Sequence, residues 1–240
     1  MNNNSLFDNK KIMVIVAHPD DEILGLGGSM NRIINQYGAE VHVVILGEGL
    51  TSRADQRNTE DWNAELKEHR KNIYDASEKI GYDSVSIYNF PDNRFDSVDL
   101  LDLIKVIEKE KKEHNPAVIF THHGGDVNID HQRCFEAVIT ACRPMEQESV
   151  EAIITFETPS GTEWRASTDP RHFVPNFFIK ITENQLMAKI KAMESYTFEK
   201  RKYPHPRSPE ALRTRAAFWG NSVGGHYAEA FHLVRNILSL

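Results

Sequence analysis

Short apolar runs alternate with longer amphipathic stretches through the first two thirds of the chain. Residues 12–17, 41–46, 84–88, 117–120 and 153–156 are brief and rich in Val, Ile and Phe. Unbroken runs of this kind suit strands buried on both faces, as in a parallel sheet. Between them, apolar positions recur at helical spacing over 23–37, 59–80 and 99–114, and a further helix is expected over 133–142. In 99–114 the buried face is Leu100, Leu101, Leu103, Ile104, Val106 and Ile107. Gly38 and Gly81 stop two of these helices. Strand, helix, strand, helix through four units predicts an α/β, doubly wound, mostly parallel sheet with right-handed crossovers. After about residue 157 the pattern loosens: a polar loop to 175, a strand over 177–181, a helix over 183–196 and a Pro-rich connector over 203–209. Ser208 is the expected N-cap of a helix over 209–219. A Gly-containing break over 220–225 leads to a final apolar segment ending at Leu240. No composition shift divides the chain, so one domain over 1–240 is expected, with the irregular part shaping the substrate site.

The first strand ends abruptly in His18-Pro19-Asp20-Asp21-Glu22. A strand buried on both faces has no place for charge, so the cluster marks the exit from the sheet, the edge where open α/β sheets bind ligands. Pro19 cannot continue the ladder. His18 and Asp21, three apart, can reach one side of a turn, while Asp20 points elsewhere. One carboxylate can then hold a metal while its neighbour handles a proton. The plainer alternative has the acids capping the next helix. The fourth strand ends in a second such cluster, Thr121-His122-His123-Gly124-Gly125-Asp126-Val127-Asn128-Ile129-Asp130-His131. Any one of these histidines alone reads as structural. Two His/Asp clusters at the ends of two strands of one parallel sheet can meet in space and point to a shared metal site.

Gly25-Leu26-Gly27-Gly28 suggests a dinucleotide loop, which would make the protein a non-catalytic nucleotide-binding module. The fingerprint needs its first glycine directly after the strand, and here three acids intervene and would repel phosphate. Close helix–sheet approach is the simpler role for these glycines. In the polar loop 47–58, Arg53 or Arg57 can clamp a substrate oxygen or anion, with Arg53 favoured. Cys134 and Cys142 lie eight apart on one predicted helix, too far to bridge, and read as packing residues of a reduced protein. A formal charge of -7 over 240 residues argues against nucleic acid or an anionic membrane as a partner. No run is long enough to span a membrane, and Met1–Ser5 carries no signal-peptide pattern, so a cytoplasmic location is expected.

Ala17-His18-Pro19-Asp20-Asp21-Glu22 followed by Asn128-Ile129-Asp130-His131 resembles the PIG-L (LmbE-like) family of zinc-dependent N-deacetylases. Pro91-Asp92-Asn93-Arg94 and Tyr227-Ala228-Glu229-Ala230-Phe231 add to the likeness, which runs from about residue 10 to 235. The resemblance implies a Rossmann-like, three-layer α/β/α fold and hydrolysis of N-acetyl groups on glucosamine-type sugars. It implies His18, Asp21 and His131 as ligands of Zn2+, with Fe2+ or another divalent metal as a substitute, and Asp20 as general base. Asp130 would tune its neighbours. Some members carry a histidine where this chain has Asn128, which can supply only a hydrogen bond to an oxyanion. His123, His205 or His226 would then furnish an imidazole. A small N-acetylated substrate is the expected partner, homo-oligomers are common in the family, and an amidase acting on a non-sugar amide is the alternative.

Overall fold

The computed structural model describes residues 6–238; residues 1–5 and the last two positions of the C-terminal apolar segment lie outside them. In chain order the elements are β1 (Lys11–Val16), α1 (Asp21–Tyr37), β2 (Glu40–Gly47), α2 (Asn63–Ile80), β3 (Ser84–Phe90), α3 (Leu100–His114) and β4 (Val118–His122). Then follow α4 (Ile129–Ala141), β5 (Ala152–Phe156), β6 (Phe177–Ile181), α5 (Glu183–Ser195), α6 (Pro209–Ser222) and β7 (Tyr227–Asn236). One seven-stranded sheet has the order β3-β2-β1-β4-β5-β7-β6. The first five strands are parallel, which accounts for their unbroken apolar runs.

Alternate residues of β1 feed two cores. Ile12, Val14 and Val16 pack with α1, α2 and α5 through Ile23, Met30, Ile73, Leu186 and Met193. Met13, Ile15 and Ala17 face α3 and α4 through Leu103, Ile107, Cys134 and Val138. The result is the three-layer α/β/α architecture. Both cysteines are buried and unbridged; burial pushes the Cys134 thiol up to about 12. Among the described residues no helix is long and apolar enough to cross a membrane.

Two departures from the sequence pattern matter. The stretch over 59–80 is not one helix: Thr59–Trp62 forms a 3-10 turn, started by the Asn58 side chain accepting from the Glu60 N–H, before α2 begins. The final apolar segment is a strand, β7, inserted antiparallel between β5 and β6. Its start runs past the end of β5, because Phe231 rather than Tyr227 pairs with Phe156.

The Gly25–Gly28 stretch is a packing device. A Cβ on Gly25 would lie 2.3 Å from the Phe156 ring, and one on Gly28 would lie 2.7 Å from Ile181. Helix α1 breaks at Leu26 (φ -147°), which frees backbone groups on both sides. Buried Glu229 of β7 accepts from the Gly28 and Ser29 N–H groups (3.3 and 2.6 Å). Lys189 of α5 donates to the Leu24 carbonyl (2.8 Å) and pairs with Glu229. A buried ion pair thus replaces the helix hydrogen bonds that the break removes.

Candidate metal and catalytic site

Strands β1 and β4 lie side by side at the point where the strand order reverses, and both clusters emerge at their carboxyl ends. The two ends are tied directly: the Ala17 N–H donates to His122 Nε2 (2.9 Å). That bond leaves the His122 proton on Nδ1, donated to Thr158 Oγ1 (3.0 Å). Burial, helped by the adjacent His131, lowers His122 to about 4. It is therefore a neutral structural imidazole whose free lone pair is already used.

Three other donors converge. Asp21 Oδ2 lies 3.3 Å from His131 Nε2 and 3.5 Å from His18 Nδ1. Donors about 2.1 Å from a tetrahedral zinc stand ~3.4 Å from one another, so these separations fit one ion. The opposite nitrogen of each imidazole meets a buried carboxylate. His18 Nε2 lies 2.8 Å from Asp130, whose oxygens also accept from the Asn93 and Phe95 N–H groups. His131 Nδ1 lies 3.2 Å from Asp126, which in turn takes the Thr162 hydroxyl (2.6 Å) and the Asn128 N–H. Such carboxylates fix the tautomer and aim the remaining nitrogen at a metal. Burial alone would lower His131, but Asp21 and Asp126 outweigh it and hold it up to about 9. A metal ion is a natural replacement for that proton.

Asp20 sits at the floor of a cleft of about 310 Å³ that also exposes His18, Asp92, Asn93, Asn128, Trp164, Glu199 and Arg207. Its backbone is left-handed (φ 102°), a conformation costing on the order of 1–3 kcal/mol for a non-glycine residue. Glu22 helps hold it there: one oxygen accepts the Asp20 N–H (3.1 Å) and the other the Tyr196 hydroxyl. Burial raises the Glu22 carboxyl to about 7. Burial likewise lifts Asp20 well above the carboxylate range, against the pull of Arg207, whose guanidinium is 3.1 Å away. Arg207 also pairs with Glu199 (2.6 Å).

The structure gathers some expected residues and separates others. His18, Asp20, Asp21, Asn128, Asp130 and His131 share one neighbourhood. Asn128 caps α4 with its Oδ1 on the Asp130 N–H, and Nδ2 donates to Asn93, leaving one N–H towards the cleft. Arg53 reaches the cleft wall, but its guanidinium is already engaged by Glu199 and the Phe198 carbonyl. Arg57 is spent on Glu48 (2.8 and 2.9 Å). His123 and His226 do not line the cleft. His123 turns outward to the Arg171 carbonyl (2.8 Å) and the Phe173 ring. His226 is exposed at the start of β7, beyond the end of β5. Of the three imidazoles offered for the Asn128 position, only His205 lines the cleft. Sequence reading missed Asp126, Asp92 and Arg207 as site residues. Asp126 carried a signal, a carboxylate inside the second histidine loop; Arg207 comes from a connector with no readable pattern.

His69 of α2 also lines the cleft, 2 % exposed against Tyr196 and Phe198. Burial lowers it to about 4. The unfolded chain, titrating near 6.5, binds the proton more readily, so stability falls as pH drops from 6.5 towards 4. Replacing His69 with Gln is expected to flatten that acid limb by about 2–3 kcal/mol. Urea unfolding of both proteins at pH 7 and pH 4.5 reads the difference; equal losses on acidification would exclude His69 as the cause.

The fold and site together define a Rossmann-like α/β protein with a His/Asp/His cluster at its sheet switch point. Residues 13–142 match the PIG-L family, GlcNAc-PI de-N-acetylase, and the chain belongs to that family of deacetylases. It is 29 % identical over 194 residues to the uncharacterized deacetylase YaiS of Escherichia coli, covering 78 % of this chain and 90 % of that protein. It is 29 % identical over 144 residues to a probable N-acetyl-alpha-D-glucosaminyl L-malate deacetylase 2 of Bacillus cereus, covering 58 % and 64 % of the two chains. The fold matches the N,N'-diacetylchitobiose deacetylase of Pyrococcus horikoshii with a TM-score of 0.72, at 20 % identity, over 97 % of this chain and 86 % of that one.

Proposed function

We propose that this protein is a zinc-dependent hydrolase that releases acetate from an N-acetylated amino sugar or its conjugate. The observation carrying this reading is the convergence of His18 Nδ1, Asp21 Oδ2 and His131 Nε2 beside a buried Asp20 that faces the cleft. Two imidazoles and one carboxylate with a free position are the donor set of catalytic zinc rather than of closed structural zinc. A zinc ion held there would polarise the amide carbonyl and lower the pKa of a water to about 7.

The chain's own residues supply the rest. Asp20 takes a proton from the attacking water and returns it to the amide nitrogen, so acetate and a free amine leave. Arg207 holds the Asp20 carboxylate in place and balances its charge. The remaining Asn128 N–H donates to the oxygen that gains charge as the carbonyl becomes tetrahedral. Asp130 and Asp126 keep the His18 and His131 rings aimed inward. A second groove of about 390 Å³, walled by Tyr203, Pro204, Pro206 and Phe218, borders the same connector and leaves room for an aglycone.

Acetate release from a panel of N-acetylated sugars and sugar conjugates by the zinc-loaded protein tests this function. Turnover of simple N-acetylated amides with no sugar turned over would reverse the substrate class. His131→Ala is expected to lose both the catalytic zinc and activity, read by elemental analysis and acetate release. An active variant with undiminished zinc would remove His131 from the ligand set.

A further inference from the structure

A second group of metal donors lies far from the cleft. His42 is near the start of β2, whereas the cleft opens beyond its end at Gly47. Five strand residues separate them, about 16 Å. His42 Nε2 lies 3.1 Å from Glu110 Oε2, and His114 Nε2 lies 3.6 Å from the same oxygen. The three ligand atoms fall within 4.8 Å of one another. The two imidazoles stack with centroids 3.6 Å apart and planes 13° from parallel.

We propose that His42, Glu110 and His114 form a second zinc-type metal site on the edge of the sheet opposite the cleft. The separations of 3.1 and 3.6 Å bracket the ~3.4 Å expected between donors sharing a tetrahedral zinc. The supporting contacts are those a metal site needs. His42 Nε2 donates to the Glu110 carboxylate at 3.1 Å, and Ser84 Oγ lies 2.7 Å from Nδ1. A metal at Nε2 would displace that proton and leave Nδ1–H to donate to Ser84 Oγ. Ser86 donates to Glu110 Oε2 (2.9 Å). Tyr88 donates to the other oxygen, and Lys109 approaches that same oxygen at 3.6 Å. Glu110 Oε2 is therefore the oxygen turned to the imidazoles. The stacked rings do not aim at one point, and Glu110 Oε2 has one close imidazole contact, the 3.1 Å one. A turn of the partly exposed His114 ring out of the stack would let a divalent ion engage all three groups at once. His114, at the C-terminal end of α3 and partly exposed, gives access from solvent.

The test compares the full-length wild type with His114→Gln after loading with Zn2+ and desalting. Elemental analysis is expected to find one zinc equivalent fewer in the variant, with its rate of acetate release unchanged. The difference between the proteins is read, so the result holds whatever the catalytic cluster retains. Circular dichroism confirms the fold, and His42→Gln provides the same comparison should His114→Gln not fold. Equal zinc content in wild type and folded variant overturns the proposal.

Discussion

Asp20→Asn is expected to cut acetate release by about 10²–10⁴-fold, the range for loss of a positioned general base. Asparagine is the informative replacement. It nearly matches the shape of aspartate, and it tolerates the left-handed backbone that position 20 adopts (φ 102°). It also removes a buried carboxylate that desolvation disfavours. The variant should therefore fold and keep the zinc proposed for the cluster, because His18, Asp21 and His131 are untouched. Zinc content, thermal midpoint and acetate release on one preparation separate the outcomes. Wild-type turnover would exclude Asp20 as the base; zinc loss with inactivity would make it a metal ligand instead.

The second large effect is on stability. Glu229→Ala is expected to cost about 3–5 kcal/mol, the range for breaking a buried ion pair from one side. Lys189 would be left buried with its charge opposed only by the Leu24 carbonyl, and the Gly28 and Ser29 N–H groups would lose their acceptor. Against typical total stabilities of 5–15 kcal/mol, this approaches the limit for a folded protein at room temperature. Gly28 and Ser29 use different oxygens of Glu229, so Glu229→Gln keeps an acceptor for only one of the two N–H groups. It should recover part of the hydrogen-bond share and leave the uncompensated ammonium. Adding Lys189→Met to Glu229→Gln should then regain much of the remainder. Urea unfolding of the three variants reads each step. A loss below about 1 kcal/mol for Glu229→Ala would show that α1 does not depend on this pair.

The break in α1 shows how local reading falls short. Gly25–Gly28 signals close packing, and Phe156 and Ile181 duly fill the space where side chains would be. Nothing near these glycines indicates that the helix loses its ladder at Leu26, or that the groups replacing it come from residues 189 and 229. The last strand is a similar case. Its apolar character was legible, but its insertion between β5 and β6 depends on pairing partners distant in the chain.

The order of residues alone determined the parallel sheet, the helices that sandwich it and the two polar clusters at strand ends. Each of these follows from local rules: period, burial on both faces and the cost of burying charge. Tertiary structure decided which nitrogen of each histidine faces Asp21, because Asp130 and Asp126 claim the other nitrogens across the chain. It turned His123 outward, left His226 exposed beyond the end of β5, and brought Arg207 onto Asp20 from a connector without periodicity. A side chain's direction and its distant partners depend on how loops close over the sheet, and no short window of residues encodes that closure.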